Sequence, residues 1–105
     1  MSLKLWLDDV RHPPPLWEDF FCAKTAPAAI QALEGMSFDE VSLDHDLGED
    51  LGAGDGYDVL LYIEERVRTR GWSPPTIRVH SANPVARQRM ERAIQSILTY
   101  QEGVL

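Results

Sequence analysis

The sequence predicts an α/β domain with a parallel sheet, and three observations predict it. Short apolar runs alternate with helical patterns in the order β-β-α-β-α-β-α. Each helical pattern opens on a capping signal: Thr25, Asp55 or Asn83. Three of the apolar runs end in polar clusters, namely Asp8-Asp9, Asp44-His45-Asp46, and His80-Ser81 with Asn83. Strands that alternate with helices imply a parallel sheet with helices packed on it. Ligands of such sheets bind beyond the carboxyl ends of the strands. The three clusters are therefore expected to converge on one edge.

The first run, LKLWL (3–7), reads as a buried strand. VRHPPPLWEDF is irregular, because Pro13, Pro14 and Pro15 forbid a helix and favour an extended segment. Residues 20–24 make a second strand, with Cys22 expected as inert core. Thr25 then N-caps a helix with Pro27 in its first turn, Ala29, Ile30 and Leu33 on its apolar stripe, and Gly35 at its end. Residues 38–43 form the third strand. Beyond the glycine-rich loop (Gly48, Gly52, Gly54, Gly56), Asp55 caps a helix with Asp58 in its first turn. Leu60, Ile63 and Val67 are its apolar face, Glu64 and Arg68 pair at i,i+4, and Gly71 stops it. TIRVH (76–80) is the fourth strand. Asn83-Pro84 opens the last helix, with Ala86, Met90, Ala93, Ile97 and Tyr100 on its buried side. Trp6, Trp17 and Trp72 are read as packing residues, with Trp17 also open to lining a pocket and stacking on a base.

The 105 residues fit one domain, 1–105, large enough to bury a single core without disulfides. A net charge of −7 argues against a protein that grips extended nucleic acid through its phosphates, since such binders carry a basic face. A nucleotide or an RNA end held through a metal ion stays compatible with that charge. No apolar run approaches the roughly 20 residues of a membrane span, so no membrane association is expected. MSLKLWLDD has neither a basic region nor a cleavage pattern, so no signal peptide is expected. One cysteine permits no internal disulfide, and a cytoplasmic location is expected.

Converging carboxylates repel one another, so Asp8, Asp9, Asp44 and Asp46 are expected to bind a cation or to hold one group protonated. Hard oxygen ligands favour a divalent ion such as Mg²⁺ or Mn²⁺. An EF-hand over 44–55 fails, because Gly48 and Glu49 stand where an acid or amide and then a glycine are needed. Glu49 and Asp50 are read as loop solvation. His45 is open to three roles: acid–base catalyst, metal ligand or charge-balancing residue. His80 is open to a catalytic role or a buried, hydrogen-bonded one. His12 is expected in solvent. Ser81, Asn83 and the start of the last helix make an anion pocket from free backbone N–H groups. Arg11 and Arg87 are candidate helpers on a phosphate.

LWLDD and VSLDHDLG resemble the first and third strands of receiver domains, the phosphoacceptor modules of two-component signalling. GYDVL and HSAN resemble the next helix and the fourth strand. The resemblance puts Asp44 at the phosphoacceptor position and Ser81 at the residue that contacts the phosphoryl group. The receiver's active-site lysine has no counterpart, since Lys4 and Lys24 are the only lysines. LDDVRHPP, SLDHDLG, GYDVL and HSANPVARQRM together resemble more closely the cyclic-phosphate processing receiver-like family.

That resemblance implies a compact flavodoxin-like three-layer sandwich. Its four-stranded parallel sheet has the order 2-1-3-4, and the receiver's first helix and fifth strand are absent. It also implies a metal-dependent phosphoesterase that acts on cyclic nucleotides or cyclic-ended RNA. Asp8, Asp9, Asp44 and Asp46 would hold the ion. His45, His80 and Asp44 would be catalytic, and Ser81, Asn83, Arg11 and Arg87 would meet the phosphate. Two rival readings stand beside it: a signalling module phosphorylated on Asp44, and an inactive pseudo-receiver that binds another protein.

Overall fold

The computed structural model of the chain describes residues 3–9, 11–15, 19–45 and 54–101. Trp17, Asp46, Glu49 and Asp50, singled out above, lie outside them. The elements run β1 (Lys4–Leu7), β2 (Phe20–Ala23), α1 (Ala26–Gly35), β3 (Glu40–Leu43), α2 (Gly56–Arg70), β4 (Thr76–Val79) and α3 (Pro84–Gln101). The strands form one parallel sheet in the order β2-β1-β3-β4, as expected.

Alternation along the strands decides which face is core. Leu5, Leu7, Val41 and Leu43 are fully buried and join Leu33, Val59, Leu60, Ile63, Met90 and Ile97 in one apolar cluster. Each such side chain contributes about 1.5–3 kcal/mol by leaving water. All three helices supply that cluster, and α2 lies between α1 and α3 and touches both. The helices therefore share one face of the sheet. The opposite face carries Trp6 and Ser42, both buried and both outside the cluster. There the Trp6 indole N–H donates to the Arg11 carbonyl at 2.8 Å. The segment after β1 is thus tied to the second face by its backbone, and no helix among the described residues stands there.

The helix ends form as their capping residues dictate. Thr25 Oγ1 accepts from the Ala28 N–H. Asp55 and Asp58 exchange side-chain-to-backbone hydrogen bonds, a capping box at the start of α2. Gly71 ends α2 in the left-handed region, at φ 63°. Asn83 Oδ1 accepts from the Val85 and Ala86 N–H groups and so caps α3.

Three expectations are corrected. With α1, α2 and α3 on one face of the sheet, the described elements make two layers where the resemblance implied three. Cys22 is exposed, because β2 is an outer strand and pairs only with β1 among the described residues. Its neighbours Phe20 and Phe21 are exposed for the same reason. Tyr100 is exposed too, because the buried side of α3 among the described residues ends at Ile97. Trp72 is half-buried beneath the Arg66 guanidinium, whose carbon lies 4.4 Å from the ring centroid.

Candidate functional site

Sheet register assembles the site. Leu7, Leu43 and Val79 stand side by side on β1, β3 and β4. The next residue on each strand is Asp8, Asp44 or His80. Each is still held by one more sheet-type hydrogen bond: Asp8 N–H to the Ala23 carbonyl, Asp44 N–H to that of Leu7, and His80 N–H to that of Leu43. Three residues distant in sequence therefore stand in a row at the carboxyl edge. One ligand atom from each of Asp8, Asp44 and His80 lies within 4.8 Å of the others. Asp8 and Asp44 are buried and His80 is partly buried.

His80 is locked on three sides. Its Nδ1 lies 2.7 Å from Ser42 Oγ and its Nε2 lies 3.1 Å from Asp8 Oδ2. Its ring stacks on the Trp6 indole, with centroids 3.9 Å apart. An ionised carboxylate only accepts, so a neutral His80 donates from Nε2 and takes a hydrogen bond from the Ser42 hydroxyl at Nδ1. Burial pushes the His80 pKa below its ordinary value. The hydrogen bond to Asp8 and the charges of Asp44 and Asp8 pull the other way without reversing the shift. His80 is therefore neutral at pH 7; to ligate a metal through Nε2 it would give up its hydrogen bond to Asp8 and carry its proton on Nδ1 instead, facing Ser42 Oγ.

Arg11 closes the group. Its backbone N–H donates to Asp8 Oδ1 at 2.9 Å and its Nε to Asp8 Oδ2 at 3.0 Å. Its Nη2 donates to the His80 carbonyl at 3.1 Å and lies 3.3 Å from Asp44 Oδ1. Burial alone would lower the Arg11 pKa, but Asp44 and Asp8 outweigh it and hold it above the ordinary value. The donor set of two carboxylates and an imidazole suits a divalent cation. A positive group already bridges these two carboxylates, so the residues present fit such an ion.

The remaining candidates fall around this group. Asp9 is half-buried beside it and is not one of the three. The His45 N–H donates to Asp44 Oδ1 at 2.8 Å, while its imidazole Nε2 lies 3.5 Å from Asp55 Oδ2 at the start of α2. Ser81 is buried, and its Oγ accepts from the Asn83 N–H. Arg87 pairs with Glu91 at 3.0 Å and faces a groove of about 670 Å³ between β4 and α3 that none of the three clustered residues lines. His12 is exposed.

Sequence reasoning treated Trp6 as packing and passed over Ser42. A signal was present for both. Trp6 and Ser42 share a register row, and period two puts them on the face that His80 also occupies. A serine between Val41 and Leu43 on a buried strand needs a hydrogen-bond partner.

The chain is similar in fold to solved structures. It matches a response regulator, MaeR, bound to beryllium trifluoride, with a TM-score of 0.58 and 19% identity over 94% of this chain and 98% of that one. It also matches a fusion that carries the yeast Spc42 trimeric coiled coil, with a TM-score of 0.60 and 18% identity. There it covers 91% of its own length and spans 61% of the fusion chain. At these identities the likeness establishes the fold alone. No curated protein matches the chain. The family model of the cyclic-phosphate processing Receiver domain matches residues 3–96, nearly the whole chain and all four strands. The chain belongs to the cyclic-phosphate processing receiver domain family.

Proposed function

We propose that this domain is a divalent-metal-dependent phosphoesterase that opens a cyclic phosphate on a nucleotide or an RNA end. The observation that carries the reading is the meeting of Asp8, Asp44 and His80 within 4.8 Å at the sheet edge, in a chain of this family. These three would hold the ion, with Asp9 and Asp46 as further carboxylates. A bound ion supplies polarisation of the phosphoryl oxygens and a more acidic water. His45 is the acid–base candidate: Asp55 orients its imidazole, the arrangement that a general base needs. Ser81 offers the phosphate a hydroxyl, whereas the N–H groups expected free at the start of α3 are taken: Asn83 Oδ1 accepts from Val85 and Ala86, and the Asn83 carbonyl from Arg87. Incubation with Mg²⁺ or Mn²⁺ and a panel of 2′,3′-cyclic nucleotides, 3′,5′-cyclic nucleotides and cyclic-ended RNA tests this. A panel left untouched would overturn it.

A second reading rests on the receiver fold itself, in which Asp44 ends the third strand. Under it Asp44 is phosphorylated and the domain signals. A small phosphodonor followed by intact mass separates the two, because a stable aspartyl adduct favours signalling. An inactive pseudo-receiver would show no metal affinity by calorimetry and no change on Asp44→Asn.

A further inference from the structure

Both carboxylates that would receive a divalent ion already meet a cation of the chain itself. Arg11 Nε reaches Asp8 Oδ2 and its Nη2 reaches Asp44 Oδ1, on the two carboxylates of the cluster. Two positive groups on the same two carboxylates repel each other, so ion and guanidinium compete there. The main chain of Arg11 is pinned by its N–H on Asp8 Oδ1 and by its carbonyl under the Trp6 indole N–H. Its side chain, by contrast, is 49% exposed. A permanent structural pair would be enclosed. This one is open on the solvent side: its main chain is pinned, and its head is held by Asp8, Asp44 and the His80 carbonyl.

We propose that Arg11 is a displaceable counter-ion: it holds Asp8 and Asp44 together without metal, leaves their oxygens when a divalent ion arrives, and then binds the phosphoryl group that the ion has attracted. The inference rests on the metal reading above and adds a residue that answers to the ion. A guanidinium suits both states. Its planar fork spans two carboxylates and a carbonyl in one, and two phosphoryl oxygens in the other. The fixed backbone keeps its head within one side-chain length of the carboxylates throughout.

The test is a crossover in sign. Calorimetry with Mn²⁺ on the wild type and on Arg11→Met is expected to show about tenfold tighter metal binding in the variant, because a competing cation is gone. Inorganic phosphate added to the Mg²⁺-loaded proteins is expected to bind about tenfold more weakly to the variant, because two charge-assisted hydrogen bonds are lost. Arg11→Lys, which keeps the charge, guards against misfolding and should lie between the two in metal affinity. In the wild type, the Arg11 Nε–H resonance should move as Mg²⁺ is added. A wild type that binds metal while Arg11→Met binds it no tighter, or while that resonance stays still, overturns the proposal alone. Failure of wild type and variants alike to bind either metal overturns the metal reading and this inference with it.

Discussion

The indole of Trp6 and the imidazole of His80 lie face to face, 3.9 Å between centroids and 1° from parallel. The contact reaches across β3, which runs between β1 and β4. It makes Trp6 a platform for the histidine of the site. Trp6→Ala is expected to cost about 3–5 kcal/mol in urea denaturation, as for other buried aromatics. Trp6→Phe keeps a ring under His80 and should cost less, the lost hydrogen bond to Arg11 accounting for about 1 kcal/mol. Equal losses for the two variants would show that the ring contact is irrelevant.

Ser42→Ala removes the hydroxyl that meets His80 Nδ1 and leaves a half-buried nitrogen without its partner. The expected cost is about 1–3 kcal/mol. The sharper readout is nitrogen NMR of His80. The wild type should show one tautomer, with the proton on Nε2, and the variant a mixture of both. An unchanged spectrum would remove Ser42 from the site.

Stability should depend on pH through His80. Its folded pKa lies below the ordinary 6.5, first because burial disfavours the charged ring. On acidification the unfolded chain therefore takes up this proton before the folded one does. The contribution is complete above the ordinary pKa and is lost as pH falls from there toward the folded pKa. Denaturation midpoints should decline as pH falls below the ordinary 6.5, and His80→Gln should flatten that decline. A variant that keeps the full slope would assign it to other groups.

Gly56 and Gly35 should respond to alanine with opposite signs. A Cβ on Gly56 would run into the Asp44 carbonyl and come within 2.7 Å of Met90 Cε. The backbone cannot yield without moving Asp44. Gly56→Ala should cost about 3 kcal/mol and weaken any metal binding. A Cβ on Gly35 meets nothing within 4 Å. Gly35→Ala should raise stability by about 0.5–1 kcal/mol, because alanine loses less backbone entropy in a helix. Calorimetric melting of both variants checks the pair.

The sequence by itself determined the element order, the helix caps and the convergence of three polar strand ends. These are local properties: period two on strands, a side-chain oxygen before a helix, a proline triplet where no helix can form. Because register carries Leu7, Leu43 and Val79 into one row, it also brings the residues that follow them together. Only the tertiary structure decided what those residues do next. His80 meets Asp8 across 72 positions and Ser42 across 38, while the His45 ring turns to Asp55 and Arg87 to Glu91. Periodicity gives the face of a strand residue, but beyond the last strand residue a side chain points wherever a partner and free volume allow. Those partners come from other strands and from the segment after β1, which no local pattern could specify.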